Sequence, residues 1–246
     1  MVNIMDIPKV FFHRKRIFLA KLEDAMKQNE VDKDIIPLLK IMNSIPFIYT
    51  TSSCSGRIML IDVPPTNRKE QSIRLARWHH PVRFEVLWEV VQDYKPKGIL
   101  WFKQEAMIVA FAVPSIQWAS YLIRLARLFG FKESGIRSIN IGMRHIFMDI
   151  TSTEKLHAPI ATYDKGLLVE EDYMRYMVEI ANNLLIRTKK KLKLLEKVMN
   201  KLLEVITDTN ARTPLDIGFK PFEDLLKEKQ IMFNTKSSEI FIRFES

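Results

Sequence analysis

Glycine is scarce in this sequence, with 7 among 246 residues, and no two glycines are separated by a single residue. The dinucleotide-binding fingerprint needs that spacing, and the P-loop pattern is also absent, so both modes of binding a nucleotide are excluded. The glycine-rich first turn of most Rossmann-type methyltransferases is missing too. No G-x-S-x-G segment occurs, so a hydrolase with a nucleophile elbow has no support. A nucleotide-like cofactor must therefore be held in another way.

Cysteine is limited to Cys54, so an intrachain disulfide and a multi-thiolate zinc site are both excluded. The five histidines show no i, i+4 pairing on one helix, and we expect no metal site. No run of 18 uncharged apolar residues is present, so no membrane span is expected. The first 20 residues are broken by charges and do not resemble a signal peptide. These absences predict a cytoplasmic protein.

Positive charge is in excess, with 38 Lys and Arg against 29 Asp and Glu and a net charge of +9. A basic excess of this size favours a polyanionic partner, most often nucleic acid. The alternative is a basic protein without such a partner.

Hydrophobic periodicity predicts an α+β fold, in which helices cover one mixed β-sheet of non-Rossmann type. The predicted helices are residues 11–28, 35–43, 81–94, 115–129, a long helix from about 169, and 221–228. The predicted strands are FIYTT, RIMLIDV, GILWF, AMIVAFAV, GIRSINIGM, HIFMDIT and, near the end of the chain, IFIRF (240–244). We expect a core domain over 1–168, a long C-terminal helix over 169–210 and a C-terminal extension over 211–246.

The long helix carries a seam of apolar residues at alternating steps of four and three, from Met174 to Ile206. Its middle, RTKKKLKLLEK, is strongly basic. This run is either a solvated helix face or a surface that follows a phosphate backbone.

The segment YTTSSCSGRI, residues 49–58, concentrates small hydroxyl side chains around Cys54 and Gly56. One interpretation is a polar hairpin turn whose Ser and Thr side chains bond to their own backbone. The other is a cradle in which converging N–H groups, hydroxyls and Arg57 hold a carboxylate or phosphate. Cys54 is predicted to be a packing thiol rather than a nucleophile.

Residues 50–58, TTSSCSGRI, resemble the signature of the tRNA wybutosine-synthesising protein 3 family, T-T-S-S-C-(S/A)-G-R-I. Weaker similarities follow in the family's order: VDKDI at 31–35, Asn43, GFKESGI at 130–136, the Ser152-Thr153 to Pro159 segment, and the Ala181-Asn182 pair. The resemblance covers about residues 11–205. One departure is Ala110, where the family usually has a histidine.

This resemblance implies an S-adenosylmethionine-dependent methyl transfer to N4 of a wyosine precursor, next to the anticodon of phenylalanine tRNA. Under it, the cofactor-binding candidates are Ser52, Ser53, Cys54, Ser55, Gly56 and Arg57. This segment is expected to hold an anionic group, either the methionyl carboxylate of the donor or the aminocarboxypropyl carboxylate of the base. Asp62 and His80 are the catalytic candidates, with Asp62 either binding the methionyl ammonium or accepting the proton from nitrogen. The substrate and RNA contacts are assigned to Asp32, Asn43, a stacking Trp78, and the cations Arg14, Lys15, Arg16, Arg74, Arg77, Lys189, Lys190 and Lys191.

Two other functions stay open at this point. A non-catalytic module could bind the tRNA and present its anticodon arm to a partner enzyme. An interaction protein could instead use the long helix as a coiled-coil seam, which would predict a dimer. We expect a monomer, with the seam packed on its own chain.

Overall fold

The computed structural model of the protein describes residues 7–66, 68–140, 142, 145–209 and 213–233. The α-helices are Lys9–Lys27 (α1), Ile36–Ser44 (α2), Phe84–Val91 (α3), Ile116–Leu128 (α4), Glu171–Thr209 (α5), Pro214–Ile217 (α6) and Glu223–Phe233 (α7). The strands are Tyr49–Cys54 (β1), Arg57–Val63 (β2), Ile73–Trp78 (β3), Ile99–Glu105 (β4), Ile108–Val113 (β5), Gly135–Asn140 (β6), His145–Thr151 (β7), Leu156–Thr162 (β8) and Gly166–Leu167 (β9).

The α+β class is confirmed, but the single mixed sheet is wrong in detail. Two sheets are present in the described ranges, with strand orders β1-β5-β7-β6 and β3-β2-β4-β8-β9. Every strand pair in them is antiparallel. The predicted helices and strands are confirmed with shifted ends, except IFIRF, which lies outside the described residues.

The chain forms two compact units, each built from separate stretches of sequence. Unit 1 comprises residues 1–54, 108–152 and 191–246, and unit 2 comprises 55–107 and 153–190. The domain boundaries predicted at residues 168 and 210 stay predictions.

Unit 1 contains the four-stranded sheet, and aromatic rings dominate its interior. Phe47 stacks on Trp118 of α4, with ring centres 3.7 Å apart. His145 of β7 lies 2.9 Å from the Tyr49 hydroxyl and stacks on Phe11 of α1. Burial raises the pKa of Tyr49 to about 12 and lowers the pKa of His145. These contacts fix the start of β1 against α1 and β7.

Unit 2 contains the five-stranded sheet and the first half of α5. Its core joins Ile58, Leu60 and Phe102 of the sheet to Met174 and Leu185 of the helix. Strands β3, β8 and the two-residue β9 were not predicted from the sequence. The edge strand β3 is rich in arginine and largely exposed, as edge strands often are. Strand β8 contains Pro159, where the register with β4 shifts.

The apolar seam of α5 is buried along its whole length, including Thr188. The seam therefore packs on its own chain, as expected for a monomer, and a coiled-coil interface is not supported. No helix within the described ranges is long and apolar enough to cross a membrane.

Candidate functional site

The signature block folds as a strand rather than as a turn. Residues Thr50 to Cys54 lie in β1, which pairs with β5, whereas β2 pairs with β3 and β4 in the other sheet. The hairpin interpretation is therefore wrong, because β1 and β2 do not pair with each other. A loop of converging N–H groups is not formed by Thr50 to Cys54, since their backbone belongs to the β1–β5 ladder. This half of the block therefore offers a strand with hydroxyl side chains to a ligand rather than a loop of converging N–H groups.

Strand β1 carries an irregularity in the middle of the block. Thr50 is opposite Phe111 and Ser52 is opposite Ala110, so Thr51 is an extra residue on β1. Such bulges redirect side chains and are frequent beside functional sites. In a regular strand neighbouring side chains point to opposite faces. Here four consecutive residues, Thr50, Thr51, Ser52 and Ser53, all line one cavity.

This cavity, called the hydroxyl cavity below, has a volume of about 460 Å³ and lies within unit 1. Besides the four hydroxyl residues, its lining comprises Phe18, Lys21, Leu22, Ala25, Glu30, Val31 and Leu39. Its size is in the range of small-molecule sites, about 300–1,000 Å³. Apolar side chains, hydroxyls and two charged groups together fit a ligand with both flat apolar and polar parts.

Asn43 fixes the hydroxyl strand to α2. Its side-chain nitrogen donates to the Leu39 carbonyl at 2.8 Å and to Thr50 Oγ1 at 2.7 Å. Its side-chain oxygen accepts the Thr50 N–H at 2.9 Å. Asn43 is buried, so its position in the family pattern is explained by placement of Thr50. These contacts do not support the predicted direct contact with substrate.

The second half of the block, Ser55 to Arg57, belongs to unit 2 and is held by other partners there. Lys189 of α5 donates to the buried Ser55 Oγ at 2.8 Å. His79 Nδ1 lies 3.2 Å from the Gly56 carbonyl. Arg57 is half-buried, and in the described part of the chain its buried Nε has no hydrogen-bond acceptor. An unpaired guanidinium N–H fits an anionic ligand.

Gly56 is the position in the block where only glycine fits. Its φ is +90°, and a Cβ there would lie 2.6 Å from Thr188 Cγ2 of α5 and 3.2 Å from the Glu105 carbonyl oxygen. The glycine is needed both for its left-handed backbone and for the close approach of α5.

Asp62 is engaged by the backbone and is 1% exposed. One carboxylate oxygen accepts the Lys97 N–H at 2.7 Å and the Tyr94 hydroxyl at 3.0 Å, and the other accepts the Gly98 N–H at 3.0 Å. Burial, followed by the bond to Asp62, raises the pKa of Tyr94 to about 12. These contacts favour a structural role, in which Asp62 holds the turn before β4. Its catalytic role stays a prediction.

The other candidates lie at several separate places in the two units. His80 is exposed, with Nδ1 at 3.0 Å from the Pro81 carbonyl. Trp78 is half-buried and packs on the core of unit 2. Asp32 precedes a short 3₁₀ turn, and Cys54 is half-buried at the end of β1. Their predicted roles stay predictions.

The predicted phosphate contacts separate into exposed and internal cations. Arg14, Arg16, Arg74, Arg77 and Lys190 are exposed. Lys191, by contrast, is buried and donates to the Gly130 carbonyl at 3.1 Å. Successive residues on a helix point about 100° apart. Residues Lys189 to Lys191 therefore do not form one basic surface, and the prediction for Lys191 is not supported.

Lys15 is also internal, which corrects its predicted contact with RNA. It is 9% exposed and donates to the Ile45 carbonyl at 2.6 Å. Burial lowers the pKa of Lys15 from 10.5 to about 8. The neighbouring Arg14 and Arg16 point away because they lie on other faces of α1.

This shift predicts a pH dependence of stability. Between pH 8 and 10.5 the unfolded chain keeps the Lys15 proton whereas the folded chain has lost it, so the free energy of unfolding rises with pH. The wild-type protein should therefore gain stability relative to Lys15→Met across this window and show a constant difference below it. Urea unfolding of the two proteins at a series of pH values measures this difference in the free energy of unfolding. A difference that stays flat up to pH 10.5 would contradict the burial of this ammonium.

A family model described as methyltransferase TYW3 matches residues 13–201. The chain belongs to this family. The tRNA(Phe) 7-((3-amino-3-carboxypropyl)-4-demethylwyosine(37)-N(4))-methyltransferase 1 of Pyrococcus abyssi is 38% identical over 198 residues, covering 80% of this chain and 100% of that protein. The corresponding methyltransferase of Thermococcus sibiricus is 37% identical over 194 residues, covering 79% and 96%. The solved structure of the PH1069 protein from Pyrococcus horikoshii has a TM-score of 0.70 at 38% identity, covering 77% of this chain and 96% of that one.

Membership of the TYW3 family confirms the resemblance, and two of its weaker segments have structural explanations. In GFKESGI, the buried Ser134 hydroxyl accepts the Thr151 N–H at 3.2 Å and so joins this segment to the end of β7. In the Ala181-Asn182 pair, the Asn182 side chain donates to the Val82 carbonyl at 2.8 Å and accepts its N–H at 2.9 Å. These residues position the backbone.

The departure from the TYW3 pattern falls beside the signature block. Ala110 on β5 is the cross-strand partner of Ser52. Opposite residues in an antiparallel pair have Cβ atoms about 5 Å apart. A histidine at this position would place an imidazole ring opposite Ser52, where this chain has only a methyl group.

The sequence did not indicate that the candidate site also includes Phe18, Lys21 and Glu30. Phe18, Lys21, Leu22 and Ala25 are spaced by three and four, which places them on one face of α1. This spacing predicts an amphipathic helix, but it does not show what the apolar face contacts. Only the packing of α1 beside β1 makes part of that face a cavity wall.

Proposed function

We propose that this chain is a tRNA N-methyltransferase that methylates N4 of a wyosine-type guanosine derivative next to the anticodon of phenylalanine tRNA. Family membership supports the reaction class, and the names of the relatives support the tRNA and the base. The observation that carries the proposal is the hydroxyl cavity, because the most specific block of the family pattern lines it with four consecutive side chains.

S-adenosylmethionine is the proposed methyl donor, and its sulfonium supplies the activated methyl group. The hydroxyl cavity suits such a ligand through the apolar surface of Phe18, Leu22 and Leu39 and the hydroxyls of β1. Arg57, with its unpaired Nε, is a further candidate for an anionic group.

Positioning is the main contribution that the protein can make to a methyl transfer. The nitrogen lone pair forms the new N–C bond while the S–C bond breaks, its electrons stay on sulfur, and the N4 proton passes to solvent. Such an in-line displacement depends on holding the reacting atoms at the right distance and angle. The hydrogen bonds from Asn43 to Thr50 support this role, because they fix the hydroxyl strand to α2.

The exposed cations are proposed to hold the tRNA. Arg14 and Arg16 lie on α1 of unit 1, and Arg74 and Arg77 lie on the edge strand β3 of unit 2. Contacts of this type with phosphates contribute affinity that does not depend on the nucleotide sequence.

A cytoplasmic location stays a prediction.

The test is incubation of the purified protein with S-adenosylmethionine and hypomodified phenylalanine tRNA, followed by analysis of the nucleosides by mass. We expect the methylated base, and about a tenfold fall in kcat/KM for Ser53→Ala, since one hydrogen bond to a ligand is removed. Ser44→Ala is the matched control, because its exposed hydroxyl donates to the Lys40 carbonyl within α2 and lies outside the cavity lining.

Two results would count against the proposal. Wild-type protein that binds this tRNA without methylating it would indicate the non-catalytic tRNA-binding module instead. Equal activity of Ser53→Ala and Ser44→Ala would remove the hydroxyl strand from the site.

A further inference from the structure

Two opposite charges stand in the lining of the hydroxyl cavity. Of its eleven described lining residues, only Lys21 and Glu30 carry charge, and the others are apolar or carry hydroxyls. Neither has an ion-pair partner within the described ranges. Both groups are exposed, so a ligand can reach them without unfolding the site.

Lys21 lies over an aromatic ring of the cavity lining. Its ammonium is 5.6 Å from the centre of the Phe18 ring, one helical turn earlier on α1. Phe18 in turn stacks on Tyr49 at 5.1 Å, which fixes the orientation of the ring. A cation over an aromatic face is attracted to the ring, so this contact stabilises the position of the ammonium. Lys21 and the ring that it contacts both belong to the cavity lining.

Glu30 is placed by the way α1 ends. Asn29 adopts a left-handed conformation, with φ of +56°. The Glu30 N–H donates to the Ala25 carbonyl at 3.0 Å, and the Asn29 N–H donates to the Met26 carbonyl at 3.2 Å. This pair of bonds is the Schellman motif, which reverses the chain sharply after the helix. It brings Glu30 back to the cavity that Lys21 also lines.

We infer that Lys21 and Glu30 recognise the α-amino acid group of a ligand in the hydroxyl cavity. Lys21 and the hydroxyls of Thr50 to Ser53 pair with the carboxylate, and Glu30 pairs with the ammonium. A cation, an anion and several hydroxyls match a zwitterion better than they match a phosphate, which Glu30 would repel. This inference rests on the proposed function for the identity of the ligand.

Two reactants of the proposed reaction carry the same group. The methionyl end of the methyl donor is a 3-amino-3-carboxypropyl chain on sulfur, and the names of the relatives place a 3-amino-3-carboxypropyl chain on the base. The experiment therefore has one arm for each source. The first uses calorimetry with S-adenosylhomocysteine and with 5′-methylthioadenosine, which lacks the amino acid group. The second compares tRNA bearing the side chain on the base with tRNA whose base lacks it.

If the recognised amino acid group belongs to the methyl donor, the first arm should show a change. Lys21→Met and Glu30→Gln should each weaken S-adenosylhomocysteine binding about tenfold and leave the affinity for 5′-methylthioadenosine unchanged. If it belongs to the base, the variants should instead lose their preference for tRNA that bears the side chain. Lys21→Arg should retain most of the wild-type behaviour in either case. The matched controls are Lys27→Met and Glu23→Gln, exposed charges of α1 outside the cavity lining.

The inference is wrong if Lys21→Met and Glu30→Gln discriminate between the two nucleosides, and between the two tRNAs, as the wild-type protein does. Equal effects of the controls would contradict it as well, since they would indicate a general influence of charge. If the wild-type protein discriminates between the probes but does not methylate tRNA, the recognition pair stands and the proposed function fails.

Discussion

A Gly56→Ala variant should lose about 3 kcal/mol of free energy of unfolding and most of its methyl-transfer activity. About 1–2 kcal/mol comes from forcing a side chain into a left-handed backbone conformation. The rest comes from overpacking, because the new Cβ would lie 2.6 Å from Thr188 Cγ2. Relief of that overlap must move either α5 or the Ser55–Arg57 segment within unit 2. Urea unfolding and the nucleoside assay together measure the two losses.

Removal of the obstructing methyl group tests the cause. Thr188→Ser deletes Cγ2, so the double variant Gly56→Ala/Thr188→Ser should be more stable than the sum of the two single changes predicts. It should not reach wild-type stability, because the φ of +90° and the Glu105 carbonyl at 3.2 Å remain. Gly135→Ala is the control, since a Cβ there meets nothing within 4 Å. Additive effects of the two changes would show that Thr188 is not the obstacle.

An Asn43→Ala variant should lose about 3 kcal/mol of stability, because three hydrogen bonds of about 1 kcal/mol each are removed. The Thr50 N–H would be left buried without this acceptor. Since Thr50 lines the hydroxyl cavity, kcat/KM should also fall at temperatures where the variant is fully folded. Thermal and urea unfolding, with activity measured well below the transition, separate the two effects.

Asn200→Ala is the matched control for this prediction, because that asparagine is exposed on α5 and bonds to Glu204 on the same helix. A cycle with Thr50→Val isolates the bond between the two side chains, and the coupling should be about 1 kcal/mol. Full activity in folded Asn43→Ala would mean that Thr50 needs no positioning.

Local patterns in the sequence predicted much of the fold. The steps of three and four along α4 and α5 identify buried helix faces, since the period of a helix is fixed by its backbone geometry. The apolar runs of β4 and β5 identify strands for a similar reason. The signature block identified the family, and confirmation by the family model did not require the structure.

Charge composition predicted the candidate site less completely. The excess of Lys and Arg predicted an anionic partner, but composition does not distinguish an exposed Arg14 from a buried Lys15. That difference depends on which face of α1 meets the segment around Ile45. Lys189 and Lys191 likewise became internal donors to Ser55 Oγ and the Gly130 carbonyl.

By itself, the sequence determined the helices, most strands, the family and the block that lines the site, because each of these depends on residues close together in the chain. Only the tertiary structure decided that β1 and β2 belong to different sheets, that Thr51 is bulged, and that Asp62 is held by Lys97 and Gly98. It also decided that Lys21, Glu30 and Thr50 to Ser53 share one cavity. The reason is physical: these arrangements come from pairing and packing between distant segments, for which no local period or spacing exists.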